Sequence, residues 1–240
     1  LRKHKIKQIL HLGDYYDNRK FINFKALQSN RYMFLEVLRE EGICMDIIPG
    51  NHDVFYKNTN ELNSLKELHG HYMNEVHIVM EPTVMDYDGC NIALIPWINK
   101  ENYDSSIKFI EQCNATIVGA HLELSGFEVM KGHVMHHGMN PKIFERFELV
   151  MSGHFHTASE KGNVKYLGSQ FEFFWSDAHD PKYFHVFDTE TRELTKVRNP
   201  YTLFERIYYD DEKNEYFDYD VSKLEKKFVK VVVANRKDQF

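Results

Sequence analysis

The chain has 240 residues, with 30 lysines and arginines against 36 aspartates and glutamates, and 42% of its residues are hydrophobic. This balance is that of a globular protein, and it excludes a disordered chain, a fibrous rod and a protein that coats nucleic acid by bulk charge, although a local basic groove is compatible with it. No apolar run approaches the roughly 18 residues of a membrane span, no signal-peptide pattern opens the chain, and the cysteines are scattered singly, so the sequence predicts a reduced cytoplasmic protein.

Short apolar runs alternate with segments of helical periodicity, which is typical of an α/β protein. The predicted helical segments are the helix end Leu1–Lys7, then Phe24–Leu38 with Gly42 as its stop, Leu62–Leu68, Asp104–Gln112 capped by Asp104, and a helix that begins at Asn140-Pro141. The predicted strands are Gln8–Leu12, Ile43–Ile48, Val84–Tyr87, Ile92–Trp97, Thr116–Val118, Leu149–Met151, Val164–Leu167 and Tyr183–Phe187.

The character of the chain changes after Val197. An acidic and aromatic stretch, Asp210–Asp220, precedes a basic stretch, Lys223–Lys237, that surrounds an apolar strand, Phe228–Val233. We therefore predict a main domain of residues 1–197 and the beginning of an accessory or capping region at residues 198–240.

Four predicted strands run into a glycine that is followed by residues able to bind a metal ion. These segments are Gly13-Asp14-x-x-Asp17, Gly50-Asn51-His52-Asp53, Gly119-x-His121 and Gly153-His154-x-His156. Ligands collect at strand ends because the loops there are free of the ladder while the strands hold them rigidly. Each segment alone is a weak signal, since a lone histidine is more often structural, but their repetition in this order is a strong one. Carboxylate, amide and imidazole groups without a thiolate suit divalent ions such as Mn²⁺, Mg²⁺, Fe²⁺ or Zn²⁺.

The same series resembles the calcineurin-like metallophosphoesterases, and among them the nuclease subunits of SbcCD-type recombination and repair complexes. Flanking segments such as Leu94-Ile95-Pro96-Trp97 and Phe187-Asp188-Thr189-Glu190-Thr191 are similar to the recombination endonuclease subunits of T-even-like phages. The resemblance implies a two-sheet sandwich flanked by helices and a metal-dependent DNA nuclease in the host cytoplasm. It also implies two divalent ions, Mn²⁺ first and Mg²⁺ as the alternative, an SMC-like coiled-coil ATPase as partner, and compatibility with a homodimer.

The resemblance assigns a metal role to five residues. Asp14 would bridge the two ions. Asn51, His121 and His154 would complete the shell of one ion, and His156 would serve the other.

It assigns catalysis and substrate binding to three more. His52 would act as the acid or phosphate ligand of the transition state, and Asp17 would orient it. Arg19 could contact a phosphate, and a plain surface role is equally compatible with its position.

One motif of the family, an Asp-x-His on the first strand, does not precede Asp14 in this sequence. The resemblance therefore implies that a strand, a loop and most of a helix are missing, on the order of 30 residues by the size of a βαβ unit. One metal site should then be complete and the other incomplete. Asp177-Ala178-His179 also matches the Asp-x-His pattern, but it follows the other metal-binding segments instead of preceding them. We therefore do not expect it to replace the missing motif.

Three classes of function stay open. The first is the DNA nuclease, the second a phosphoesterase acting on small nucleotides or phosphoproteins, and the third a non-catalytic scaffold with an incomplete metal site. A recessed pocket without a basic groove would favour the second class, and a chain that binds fewer than two ions and is inert on DNA would favour the third. The aromatic run Phe171–Trp175 could stack on DNA bases, but a core or subunit-contact patch is the preferred interpretation.

Overall fold

A computed structural model describes residues 1–72, 74–130, 132–210, 212–213 and 219–235. Parts of the predicted accessory region, residues 211, 214–218 and 236–240, lie outside the described residues. The α-helices are α1 (Phe24–Asn30), α2 (Glu36–Glu41), α3 (Ser64–His69) and α4 (Tyr103–Gln112), and a π-helical turn, Arg31–Leu35, joins α1 to α2. Short 3-10 turns lie at Arg2–His4, Gly70–Tyr72, Pro141–Phe144, Trp175–Asp177 and Val221–Leu224.

The strands are β1 (Gln8–His11), β2 (Cys44–Ile47), β3 (Val76–Ile78), β4 (Thr83–Tyr87), β5 (Cys90–Ile95), β6 (Ile117–Ala120), β7 (Glu128–Met130), β8 (His133–Val134), β9 (Leu149–Ser152), β10 (Ser159–Lys161), β11 (Val164–Tyr166), β12 (Tyr183–Phe187), β13 (Leu194–Arg198), β14 (Phe204–Asp210) and β15 (Phe228–Asn235). A six-stranded sheet has the order β10-β11-β9-β6-β5-β4, and a three-stranded sheet has the order β1-β2-β3. The small sheet is parallel, as is the centre of the large one, whose edge strands β4 and β10 run antiparallel.

Alternating side chains place the large sheet between two apolar layers. Leu94 of β5 and Ile117 of β6 point to the small sheet, where they pack with Leu10 of β1. Their neighbours Ala93 and Val118 point to the opposite face. This alternation follows the two-residue period of a strand, and it buries both faces of the large sheet.

Helices cover the outer faces of both sheets. Ile110 of α4 and Phe144 pack on the large sheet, and Leu38 of α2 and Leu65 of α3 pack on the small one. The layers therefore run helix, sheet, sheet, helix, which confirms the predicted two-sheet sandwich flanked by helices.

Several local predictions need correction. Leu1–Lys7 contains only the 3-10 turn Arg2–His4, and the helix predicted to begin at Asn140-Pro141 is a 3-10 turn, Pro141–Phe144. Asp104 lies in the first turn of α4 rather than at its N-cap, which is Asn102. The predicted core strand Tyr183–Phe187 forms, but it pairs with β13 outside the six-stranded sheet, because its ladder partner is the next strand along the chain. β3 was not predicted, since three residues carry too short a pattern.

The C-terminal strands form a pair of their own. β14 and β15 run parallel, and β15 contains the predicted strand Phe228–Val233. Buried Glu172 accepts hydrogen bonds from the backbone N–H groups of Leu203 and Phe204, which ties the start of this pair to the preceding segment. Among the helices of the described residues, none has the length and apolar character that a membrane crossing requires.

Candidate metal centre

The ligand-bearing segments meet at one end of the sandwich. Asp14 follows β1, Asn51 follows β2, His121 follows β6 and His154 follows β9. These strands come from both sheets; glycine-led loops follow β1, β2 and β9, whereas Gly119 lies within β6, two residues before His121. The hydrogen-bonded strands are rigid, so they hold the four segments that follow them close together at this end of the sandwich.

Four side chains converge there into a compact group. Asp14, His121 and His154 offer ligand atoms that all lie within 4.8 Å of one another. The Oδ1 atom of Asn51 lies 3.0 Å from His121 Nε2 and 2.8 Å from His154 Nδ1. The structure thus brings together the side chains predicted to form the shell of one ion.

Hydrogen bonding around His121 shows that this group fits a cation. Its Nδ1 lies 2.6 Å from the carbonyl oxygen of Leu12, which can only accept, so Nδ1 carries the hydrogen. Nε2 then faces Asp14 Oδ2 at 3.2 Å and Asn51 Oδ1 at 3.0 Å. With a neutral imidazole, three lone pairs converge without a proton among them, and that arrangement needs a positive charge. One carboxylate, one amide oxygen and two imidazoles are a donor set that divalent ions such as Mn²⁺ or Zn²⁺ accept.

The local electrostatics favour the metal-binding protonation state of Asp14 and His154 but not that of His121. Burial would raise the pKa of Asp14, but the charge and hydrogen bond of His121 and the backbone N–H of His52 lower it to about 2. Burial, assisted by the charge of His121, lowers the pKa of His154 to about 3, so this imidazole is neutral at pH 7. Burial would also lower the pKa of His121, yet the nearby Asp14 carboxylate raises it overall.

Glycine is required where the loops cross. Gly13 has φ +86°, and a Cβ on it would lie 2.5 Å from His121 Nδ1. A Cβ on Gly50 would overlap the backbone and carboxylate of Asp14 and lie 2.7 Å from His121 Cε1. Asp14 and His154 themselves adopt positive φ, 54° and 84°, which non-glycine residues rarely do. Such backbone strain is typical of functional sites.

Asp53 is the residue whose function sequence reasoning missed. Its fully buried carboxylate accepts hydrogen bonds from the backbone N–H groups of Tyr15 at 2.9 Å, Tyr16 at 3.3 Å and Gly50 at 2.8 Å. It therefore joins the loop that carries Asp14 to the loop that carries Asn51. Burial raises its pKa to about 6, against the effect of the hydrogen bond from Gly50. Its position in the Gly50-Asn51-His52-Asp53 motif was the available signal.

His52 lies exposed beside this group. Its backbone N–H donates to Asp14 Oδ1 at 2.7 Å. Its Nδ1 lies 2.5 Å from the backbone carbonyl oxygen of Asp17. Asp17 therefore contacts His52 through its main chain, whereas the prediction had assigned this role to a carboxylate. Arg19 is partly buried and makes no hydrogen bond or ion pair with the described residues.

His156 lies outside the four-residue group. Its ring packs on Phe173 at 5.3 Å and lies almost parallel to Phe174 at 5.7 Å between centroids. Its backbone carbonyl accepts a hydrogen bond from buried Lys182 at 2.9 Å. The aromatic run thus touches a predicted ligand, while Phe174 stays 52% exposed.

The Asp177-Ala178-His179 segment has a structural role. Asp177 accepts hydrogen bonds from the backbone N–H groups of Phe173 and Phe174 and pairs with Lys182 at 3.2 Å. His179 lies 3.9 Å from Glu205.

Within the described part of the chain, one group of three or more acidic, histidine or cysteine side chains has ligand atoms within 4.8 Å of one another, and it consists of Asp14, His121 and His154. Glu123, which sequence reasoning did not single out, lies beside it, with Oε2 3.4 Å from His154 Nε2.

The two-sheet sandwich agrees with the metallophosphoesterase fold that the resemblance implied. Comparison with known proteins then shows a particular relative: the chain is 38% identical over 208 residues to exonuclease subunit 1 of enterobacteria phage T4. The match covers 87% of this chain and 60% of the phage protein, so the chain spans less than two thirds of its relative's length. This similarity confirms the resemblance to phage nuclease subunits.

No protein-family model matches the chain. Among solved structures, a novel archaeal phosphodiesterase is similar at a TM-score of 0.40 and 13% identity, over 82% of this chain and 86% of that one.

Proposed function

We propose that the protein is a divalent-metal-dependent phosphodiesterase that cleaves DNA as the nuclease subunit of a recombination or repair complex. The observation that carries this proposal is the convergence of Asp14, Asn51, His121 and His154, with His52 at their side. The similarity to a phage exonuclease subunit supports DNA as the substrate.

Each residue has a part in this reaction. Asp14, Asn51, His121 and His154 would hold a divalent ion, which supplies Lewis-acid stabilisation of charge on the phosphoryl oxygens when bound. Because the carbonyl of Asp17 can only accept, His52 Nδ1 carries a hydrogen, and Nε2 is the nitrogen left to exchange a proton. His52 then contacts the phosphate or gives a proton to the leaving oxygen.

Finer features of the proposal come from the resemblance. The ion is Mn²⁺, with Mg²⁺ as the alternative, and His156 contributes to a second ion. DNA binds with help from Arg19, and the partner is an SMC-like coiled-coil ATPase. The word "subunit" in the relative's name supports a partner chain, and the resemblance alone supplies the class of that partner. A homodimer is compatible with this assembly. Residues 1–197 form the nuclease domain, and residues 198–240 begin the accessory region.

One observation favours a second candidate, hydrolysis of small nucleotides or phosphoproteins by the same residues. A recessed cavity lies beside the centre, and the described residues that line it include no lysine or arginine. Long DNA needs cations along its backbone, whereas a small substrate does not.

The experiment is cleavage of linear duplex DNA with Mn²⁺, together with calorimetric Mn²⁺ titration. We expect Asp14→Ala and His52→Ala each to lower the rate at least about a hundredfold, as removal of a metal ligand or general acid does. The control is His179→Ala, a change to a histidine away from the centre, which should keep the wild-type rate. Unchanged cleavage by both site variants would contradict the assignment. A wild-type protein that neither binds Mn²⁺ nor cleaves DNA would favour the scaffold.

A further inference from the structure

A cavity of about 330 Å³ opens beside the metal centre. His121 lines it from one side and also presents Nε2 to Asp14 and Asn51 on the other, so the cavity and the centre share a wall. Its volume is at the small end of the range for ligand pockets, which suits one ring system rather than a large molecule.

Aromatic faces bound this cavity. Trp97 lines the cavity, and its ring packs 5.3 Å from the His154 ring and 5.9 Å from the His121 ring, so the cavity adjoins two of the proposed ligands. Tyr103, at the start of α4, lines the cavity with 48% of its surface exposed. Within the described part of the chain, neither Trp97 Nε1 nor the Tyr103 hydroxyl has a hydrogen-bond partner, which leaves both polar groups available to a ligand.

The polar lining is acidic rather than basic. Glu123 contributes a carboxylate whose side chain is 39% exposed, and carboxylates only accept hydrogen bonds. Gly138 lies directly beside the backbone of Glu123 in this lining, where φ is +105° and a Cβ would lie 2.6 Å from the carbonyl oxygen of Glu123. A phosphate group would be repelled here. A flat, neutral ring that carries N–H groups would be accepted.

We propose that this cavity binds the base of the nucleotide whose phosphate lies at the metal centre. This inference rests on the proposed nuclease function and adds the position of the base to it. The base stacks between the Trp97 and Tyr103 rings, and its amino or ring N–H group donates to Glu123. Bases read outside a duplex are held in this manner, by stacking on aromatic side chains and by hydrogen bonds to their edges.

The test separates the base pocket from the chemistry at the metal. Tyr103→Ala removes a stacking face without touching a proposed metal ligand, and Tyr103→Phe keeps the ring. Both are assayed with Mn²⁺ on single-stranded oligonucleotides, on the same oligonucleotides with an abasic scissile nucleotide, and on dinucleotides. Phe184→Ala, at a similarly exposed aromatic residue of β12, is the control.

We expect Tyr103→Ala to raise KM for the intact oligonucleotide about tenfold, the effect of one lost stacking contact, with kcat changed less than about twofold. Phe184→Ala should behave as the wild type does, and Tyr103→Phe, which keeps the stacking ring and loses only the hydroxyl, should raise KM much less than Tyr103→Ala. The abasic oligonucleotide should show no Tyr103 effect.

The outcomes distinguish the two proposals. A wild-type protein that cleaves the oligonucleotides while Tyr103→Ala leaves their KM unchanged would overturn the base pocket alone. An equal Tyr103 effect on the abasic oligonucleotide would overturn it too, since stacking on a base could not be the cause. A wild-type protein that cleaves none of the substrates would overturn the proposed function and the pocket with it. Cleavage of dinucleotides but not of longer DNA, with the same Tyr103 effect, would support the pocket and correct the substrate.

Discussion

The connection that Asp53 makes between two ligand loops yields a sharp prediction for Asp53→Asn. The substitution keeps the side-chain volume, so it opens no cavity. It replaces one acceptor oxygen by an NH₂ group, while the native carboxylate receives N–H groups at both oxygens. In the more favourable orientation of the asparagine side chain, its amide oxygen still accepts the hydrogen bonds from the backbone N–H groups of Tyr15 and Tyr16. The backbone N–H of Gly50 then faces the NH₂ group of the asparagine, which is itself a donor.

The magnitude follows from that single lost acceptor. An unsatisfied buried N–H costs about 1–3 kcal/mol, and the strain falls on the loop that carries Asn51. We therefore expect Mn²⁺ affinity to fall about 10- to 100-fold, as it does when groups that orient metal ligands are changed. The variant also has no buried negative charge at this position, and burial of that charge is what raises the pKa of Asp53 to about 6 in the native protein. Removing this unfavourable charge burial offsets part of the stability lost with the hydrogen bond in the metal-free protein. We therefore expect a larger change in Mn²⁺ affinity than in thermal stability.

The assay is calorimetric Mn²⁺ titration at pH 7, with thermal unfolding of the metal-free protein alongside. Asp46→Asn is a matched control, because Asp46 is also a buried carboxylate with three hydrogen bonds, from Gln8, His77 and Tyr87, but it lies in β2 away from the centre. Wild-type Mn²⁺ affinity in Asp53→Asn, or an equal loss in Asp46→Asn, would refute the reasoning.

Three further predictions concern close packing, proton release and a buried cation. Gly50→Ala should abolish measurable Mn²⁺ binding because its Cβ overlaps Asp14, whereas Gly70→Ala, which meets nothing within 4 Å, should bind normally; equal affinities would contradict the packing argument. Mn²⁺ binding near pH 7 should release a proton from His121, whose pKa is raised, and none from His154, whose pKa is about 3, so affinity should rise with pH. Calorimetry in buffers of different ionisation enthalpy measures this release, and its absence would refute the assignment. Lys182→Met should lower the free energy of unfolding by about 3–5 kcal/mol in urea titrations, since it leaves a buried carboxylate unpaired; a loss below about 1 kcal/mol would show that the pair is dispensable.

The sequence alone was sufficient for most of the architecture. Strands and helices follow from local chemistry, such as the alternation of Ala93 and Leu94 in β5 and the left-handed Gly42 that ends α2. The glycine-led segments predicted a metal centre, and Asp14, Asn51, His121 and His154 do converge. This part was predictable because parallel strands carry their carboxyl ends to a common edge, so a repeated strand-to-ligand pattern places the ligands together.

Only the tertiary structure decided how these residues are held and what surrounds them. Asp53 joins backbone groups 38 residues away, and His121 is oriented by a carbonyl 109 residues away. The carbonyl of Asp17, rather than its carboxylate, contacts His52, and His156 packs on phenylalanines outside the centre. These partners depend on backbone atoms and loop paths that packing sets, and backbone atoms have no residue-specific signal in a sequence. The residue types determined which ligands are available, and the long-range packing decided which of them meet.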